Sequence, residues 1–179
     1  MIHIITPCSR PDNLKTVSKS IPETCKWTVS MDSRVTGNVT LKNATVIRGP
    51  FTGNYGNEVK NYALDTGKFN DEDWIYFLDD DNIIHPQWWP TVSKLLKLDR
   101  GMMVWGQKFK EGKTRLRATS NPAIGNIDLA SYMCKWSALK NFRFDKTLYE
   151  ADGLLAMQVH KKFGSVIVPG YLCYYNFLK

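Results

Sequence analysis

The stretch Trp74-Ile75-Tyr76-Phe77-Leu78-Asp79-Asp80-Asp81 decides how this chain is read. It describes a buried strand that ends in a cluster of acids. Three negative charges within about 7 Å of backbone repel one another, at a cost that rises as the dielectric falls. A hard divalent cation is the natural compensation. Carboxylate oxygens bind Mg²⁺ or Mn²⁺, and Mg²⁺ takes one or two protein carboxylates together with substrate phosphates. In open α/β sheets, ligands gather outside the carboxyl ends of the strands, where this triplet falls. The competing reading is a solvated acidic turn, because Asp favours turns.

Outward from the triplet, strand and helix patterns alternate. Residues 2–6 read as a first strand, followed by the turn-rich Pro7-Cys8-Ser9-Arg10-Pro11 and a helix carrying Leu14, Val17 and Ile21 until Pro22 stops it. Trp27, Val29 and Met31 alternate with polar residues in a strand ending at Asp32, and 45–47 makes another. Gly49, Gly53 and Gly56 mark a loop, and Asn57 is placed to cap a helix bearing Val59, Tyr62 and Ala63 and closing at Gly67. A helix over 86–98 and a strand over 102–105 follow. Residues 108–117 read as a hairpin around Glu111-Gly112, 120–127 as an open loop, 151–163 as a helix stopped by Gly164, and 166–168 as a last strand. Such alternation predicts an α/β fold with a mainly parallel sheet covered by helices on both faces. Its 179 residues suit one domain, with 1–101 as a nucleotide-binding half and 102–179 as a catalytic and acceptor half.

Composition narrows the classes. A 43% hydrophobic content suffices for one core, and no apolar run approaches the ~20 residues that span a bilayer. The first residues enter a strand pattern at once, without the features of a secretory signal, so a soluble, cytoplasmic protein is expected. Cys8, Cys25, Cys134 and Cys173 form no C-x-x-C pair and suggest neither zinc nor disulfides. The net charge of +7 makes an anionic partner plausible, and the longest basic stretch, 108–117, is interrupted by Glu111 and Gly112. No basic-aromatic motif for nucleic acid is present, and none is expected as a partner.

The order of motifs resembles the GT-A glycosyltransferases, especially the family 2 type, through nearly the whole chain. The resemblance is carried by Thr6-Pro7 and Arg10-Pro11, by Asp32 at a strand end, by Lys60-Asn61 on a helix, by Phe77-Leu78-Asp79-Asp80-Asp81 followed by Pro86, and by Glu150-Ala151-Asp152 before an apolar helix. It implies a Rossmann-like GT-A domain that transfers a sugar from a nucleotide-sugar donor, UDP-linked, to a glycan or other hydroxyl acceptor with inversion. Thr6, Pro7, Arg10, Asp32, Lys60, Asp79, Asp80 and Asp81 would then bind the donor, and Asp81 and Asp79 the Mn²⁺ or Mg²⁺. Asp152 matches the family's general base, with Glu150 as its competitor. The family often builds its acceptor site where Trp105, Gln107 and Asp128 stand, and residues 108–127 are expected to close over the donor.

Two rivals remain open. A sugar-nucleotide-forming nucleotidyltransferase also uses metal and acids on an α/β sheet, but should carry a Gly- and Lys/Arg-rich loop after the first strand, and 7–11 contains no glycine. A non-catalytic module binding nucleotides or nucleic acid is the other.

Overall fold

Alternate residues of the first strand, β1 (Ile2–Cys8), are buried on opposite faces of a sheet. Ile2 and Ile4 pack with Trp27, Val29, Trp74 and Tyr76 on one side, whereas Ile5 packs with Ile75, Phe77 and Val104 on the other. The computed structural model describes residues 1–49 and 55–179; Gly53, one of the expected loop glycines, lies outside the described residues. β1 lies between β2 (Lys26–Met31) and β4 (Trp74–Phe77), parallel to both, and β3 (Thr45–Arg48) runs parallel to β2.

Beyond β4 the order continues through β8 (Tyr132–Lys135), β6 (Met102–Lys108), β9 (Ser165–Tyr174) and β5 (Ile83–Ile84), with β7 (Thr114–Leu116) paired to β6 off that path. β8 is antiparallel to β4 and β6, whereas β9 is parallel to β6. The sheet is therefore mixed, with a parallel block that carries the first strands and their carboxyl ends.

Helices cover both faces, as the alternation predicts. α1 (Leu14–Val17) and α3 (Trp88–Val92) pack on the Ile4 side, and α2 (Asn57–Thr66), α4 (Trp136–Leu139) and α5 (Ala151–Phe163) on the Ile5 side. Trp88 stacks on Tyr76 at 5.2 Å between ring centroids and is fully buried, so it belongs to the core. No helix among the described residues is long and apolar enough to cross a membrane. All four cysteines are free.

Several local expectations are corrected. The helix through Ile21 is only one α-turn flanked by 3-10 turns, because Ile21 precedes Pro22 and is held extended at φ −85°, ψ 122°. Asn57 is not the cap of α2: Gly56 occupies that position at φ +69°, and the Asn57 amide instead donates to the carbonyls of Asp145 and Leu148, both at 2.8 Å. The last strand extends well beyond 166–168 because Pro169-Gly170 is absorbed where β6 and β9 shift register around Gly106. A Cβ on Gly106 would lie 2.7 Å from the Tyr171 ring and 2.9 Å from the Leu116 carbonyl, so only glycine fits there.

Asn61 ties α2 to the segment leading toward α5. Its amide nitrogen donates to the Phe144 carbonyl at 2.8 Å, and its amide oxygen accepts from the Phe144 N–H at 2.9 Å, both in the interior. Asn61→Leu keeps the volume and orphans both backbone groups. Urea denaturation is expected to show a loss of about 2–6 kcal/mol, from ~1–3 kcal/mol for each of the two unsatisfied buried groups.

Candidate functional site

The site forms where β1 and β4 end side by side. The Leu78 N–H donates to the Ile5 carbonyl at 3.0 Å, extending the pairing by one residue, and the chain then turns so that Asn82 N–H reaches the Asp79 carbonyl at 3.1 Å. That turn sends the three acids in different directions. Asp80 points back to β1, where its Oδ2 accepts the N–H groups of Ser9 and Arg10, each at 2.7 Å, and its Oδ1 meets the Arg10 guanidinium. Asp81 forms an ion pair with the Arg10 guanidinium at 3.0 Å and lies 3.4 Å from the Lys179 ammonium. Asp79 accepts the Asn82 amide at 3.2 Å and faces open space.

Two adjoining cavities meet at Asp79, Arg10 and Tyr55. One of about 230 Å³ is bounded by Pro7, Asp32, Arg34, Gly56 and Val59. The other, of about 310 Å³, is lined by Lys60, Asp81, Arg115, Asp128, Glu150 and Asp152 among others. A larger cavity of about 940 Å³ lies at the opposite ends of the strands around Lys26, Trp27, Lys68 and Phe69, and among the described residues its only acid is Glu23. Size therefore does not mark the chemistry here.

Charge is unevenly compensated across the larger site cavity. Enclosure, then repulsion from Asp128, pushes the Asp79 carboxyl up to about 8. Burial likewise raises Asp152, with Asp128 adding to it. Lys60 is buried, with its ammonium 4.5 Å from the Phe144 ring centroid; burial lowers its pKa, opposed by Asp79, Asp152 and Asp128. The ordinary expectation for a lone helical lysine, a solvated surface position, does not hold for it.

The sequence-derived residues are sorted as follows. Arg10, Lys60, Asp79, Asp81, Glu150 and Asp152 come together on one cavity, and Pro7, Asp32 and Asp80 border the neighbouring one. Thr6 is corrected: it is fully buried, and its hydroxyl accepts the Trp27 indole N–H at 3.0 Å, so it shapes the strand end and not the cavity. Asp32 is held by the Arg34 fork at 2.8 and 2.9 Å. Both Asp152 oxygens accept backbone N–H groups, from Leu129 at 3.0 Å and Gly153 at 2.9 Å.

Sequence reasoning placed Asp128 only in a region and left out Arg115, Lys179, Tyr55 and Tyr149. Asp128 had a local signal, since Asp-x-x-Ser is a capping-box pattern and Asp128 with Ser131 forms that box. The others converge only through the tertiary fold.

The donor set could hold a divalent cation only with ligands supplied from outside the chain. Among the described residues no three acidic, histidine or cysteine groups converge into a protein cage. Mg²⁺ needs only one or two carboxylates alongside phosphate and water, and Asp79 and Asp81 face one cavity with Asp79 short of positive charge.

The comparisons bear on the fold. No protein-family model matches the chain, and no curated protein matches it in sequence. Solved structures do match in shape. The chain is similar to 2-C-methyl-D-erythritol 4-phosphate cytidylyltransferase of Francisella tularensis, with a TM-score of 0.56 at 12% identity over 99% of this chain and 93% of that one. A putative glucose-1-phosphate thymidylyltransferase of Bacillus anthracis gives 0.55 at 13% identity, covering 99% and 91%. The inositol-1-phosphate CTP transferase of T. maritima gives 0.50 at 8%, covering 93% and 84%. These likenesses establish a Rossmann-like α/β fold shared with nucleotidyltransferases. They also overturn the expectation of glycosyl transfer, since the matching structures are named as nucleotidyltransferases.

A pH test follows from Asp79. Its folded pKa is raised above the unfolded value of 3.8, so the native state holds the proton longer and stability falls as pH rises from about 4 to about 8. Asp79→Asn is expected to leave stability unchanged near pH 4 and to raise it near pH 8, flattening the profile in urea titrations. Mn²⁺ at pH 8 should raise the thermal midpoint of the wild type more than that of the variant.

Proposed function

We propose that this chain is a divalent-metal-dependent nucleotidyltransferase that joins the nucleoside monophosphate part of a nucleoside triphosphate to a phosphorylated polyol, releasing pyrophosphate. The observation that carries the reading is the continuity of two cavities across Asp79 and Arg10. A nucleoside fits the smaller one, and the larger one combines acids with Arg10, Lys60, Arg115 and Lys179 as phosphate-binding cations.

An oxygen of the phosphomonoester attacks the α-phosphorus, the bond from that phosphorus to the bridging oxygen breaks, and pyrophosphate leaves with the electron pair. A phosphomonoester has its second pKa near ~6 and is ionised at neutral pH, so its oxygen needs no general base. This agrees with an Asp152 whose two oxygens are already engaged by backbone N–H groups. A cation on Asp79 and Asp81 would neutralise charge building on the leaving pyrophosphate.

The loop after β1 supports a particular way of holding phosphate. It contains no glycine, and the Ser9 and Arg10 N–H groups are taken by Asp80, so the phosphates fall to the side chains of Arg10, Lys60, Arg115 and Lys179. Lys60 offers a point charge where an arginine would offer a planar fork. Residues 108–127 contribute Arg115, Ile124 and Ile127 to the cavity wall, which suits a segment that covers bound phosphates.

The relatives in shape are named for cytidylyl, thymidylyl and CTP transfer, so CTP, dTTP and UTP are the donors to try first. The full chain is incubated with each triphosphate, Mg²⁺ or Mn²⁺, and a panel of phosphorylated polyols, and pyrophosphate is measured. Release that depends on both metal and phosphorylated acceptor is expected, with Asp79→Asn lowering the rate by roughly 10²-fold or more. No pyrophosphate from any triphosphate, together with cleavage of a nucleoside-diphosphate sugar, would overturn the proposal.

A further inference from the structure

Exposed apolar surface is concentrated at the rim of the larger site cavity. Of the exposed large hydrophobic residues among those described, Tyr55 at 59%, Tyr149 at 70% and Ile124 at 51% all line this one cavity. The two tyrosine rings meet edge to face, 5.2 Å between centroids and 77° between planes, an arrangement that leaves ring face open to solvent. Ile124 is fixed beside them because its backbone lies against Gly153 on α5, where an added Cβ would stand 3.1 Å from the Ile124 Cα.

Tyr55 holds its place in an unusual backbone conformation. Its φ of +56° is followed by +69° at Gly56, two left-handed residues in succession at the entry to α2. Bulky residues rarely occupy that region, and such conformations persist where the surroundings impose them, often at ligand sites. Here the result is a large aromatic ring set over the junction of the two cavities.

Tyr149 lines only the larger cavity, so its ring serves the substrate that is not the nucleoside. The same cavity is lined by Asp128, Glu150 and Asp152, acceptors for hydroxyl groups. Aromatic rings and carboxylates lining one cavity match a molecule with an apolar C–H face and hydroxyls around its edge. Ring C–H groups of a cyclic polyol present that face to the electron-rich side of an aromatic ring, whereas an open chain has no fixed face to present. The cavity, of about 310 Å³, lies at the lower end of small-ligand sites.

We propose that Tyr55 and Tyr149 form a stacking platform that selects a cyclic polyol phosphate over an open-chain one. The proposal rests on the nucleotidyltransferase reading for its phosphate-bearing substrate, but the platform is tested by contact and not by turnover.

Saturation-transfer NMR on the full chain uses glucose 1-phosphate and glycerol 3-phosphate as probes. In the wild type the ring C–H protons of glucose 1-phosphate should receive saturation. Tyr149→Ala should weaken its binding roughly 3- to 10-fold, the free-energy range of one lost aromatic contact. Tyr149→Phe, which keeps the ring, should restore it. Glycerol 3-phosphate should bind equally to all three proteins. Absence of ring-proton saturation in the wild type, or equal loss for both probes in Tyr149→Ala, overturns the platform. If saturation follows the expected pattern while no triphosphate yields pyrophosphate, the platform stands and the reaction proposed above fails; if pyrophosphate forms but open-chain phosphates are the better acceptors, the platform alone fails.

Discussion

The buried Asp80 carboxylate is the constraint on which the rest of the site depends. It joins the carboxyl ends of β1 and β4 by accepting two backbone N–H groups at 2.7 Å and a guanidinium. Charge-assisted hydrogen bonds of this kind are roughly twice as strong as neutral ones, and losing a partner would leave a charge stranded in the interior. The triplet's apparent electrostatic cost is met by division. Asp80 is neutralised locally by Arg10 and Asp81 shares Arg10 and Lys179, whereas Asp79, enclosed and facing Asp128, has its carboxyl pushed up to about 8. Asp79 is thus the position where an incoming cation gains most.

Lys60 extends the same logic to the far wall. A buried ammonium close to Asp79, Asp128 and Asp152 supplies one positive charge to three acids. A guanidinium would commit its fork to one carboxylate, whereas the compact ammonium acts as a shared point charge. The acids consequently stand together without any of them being locked into a single ion pair with Lys60.

The elements with strong periodicity were legible in the sequence, and those made by long-range pairing were not. β1, β4 and α5 carry clear alternation or a helical stripe, and their bounds fall close to the expected ones. β8 was missed because Tyr132–Lys135 is short and lacks the β-branched residues that mark strands; it is a strand because β4 and β6 hold it from both sides. In the site, the acids at β4 and at the start of α5 were legible, since each is punctuated by an apolar run. Tyr55, Arg115 and Lys179 had no such local mark and reach the cavity only through folding. The reaction was the least legible feature. Nucleotide-binding α/β folds place acids and metal at the same strand ends whether the attacked centre is a carbon or a phosphorus, so motif order identifies the scaffold more securely than the chemistry.

Asp152 has a structural role that its place in the chain explains. It stands in the first turn of α5, where a carboxylate is favoured by the helix dipole and by free N–H groups. Its second bond, to the Leu129 N–H, carries that anchoring across to the turn capped by Asp128. That turn positions the Asp128 carboxyl, whose repulsion adds to the burial that raises both Asp79 and Asp152. The acid expected to remove a proton therefore fixes the spacing of the other acids.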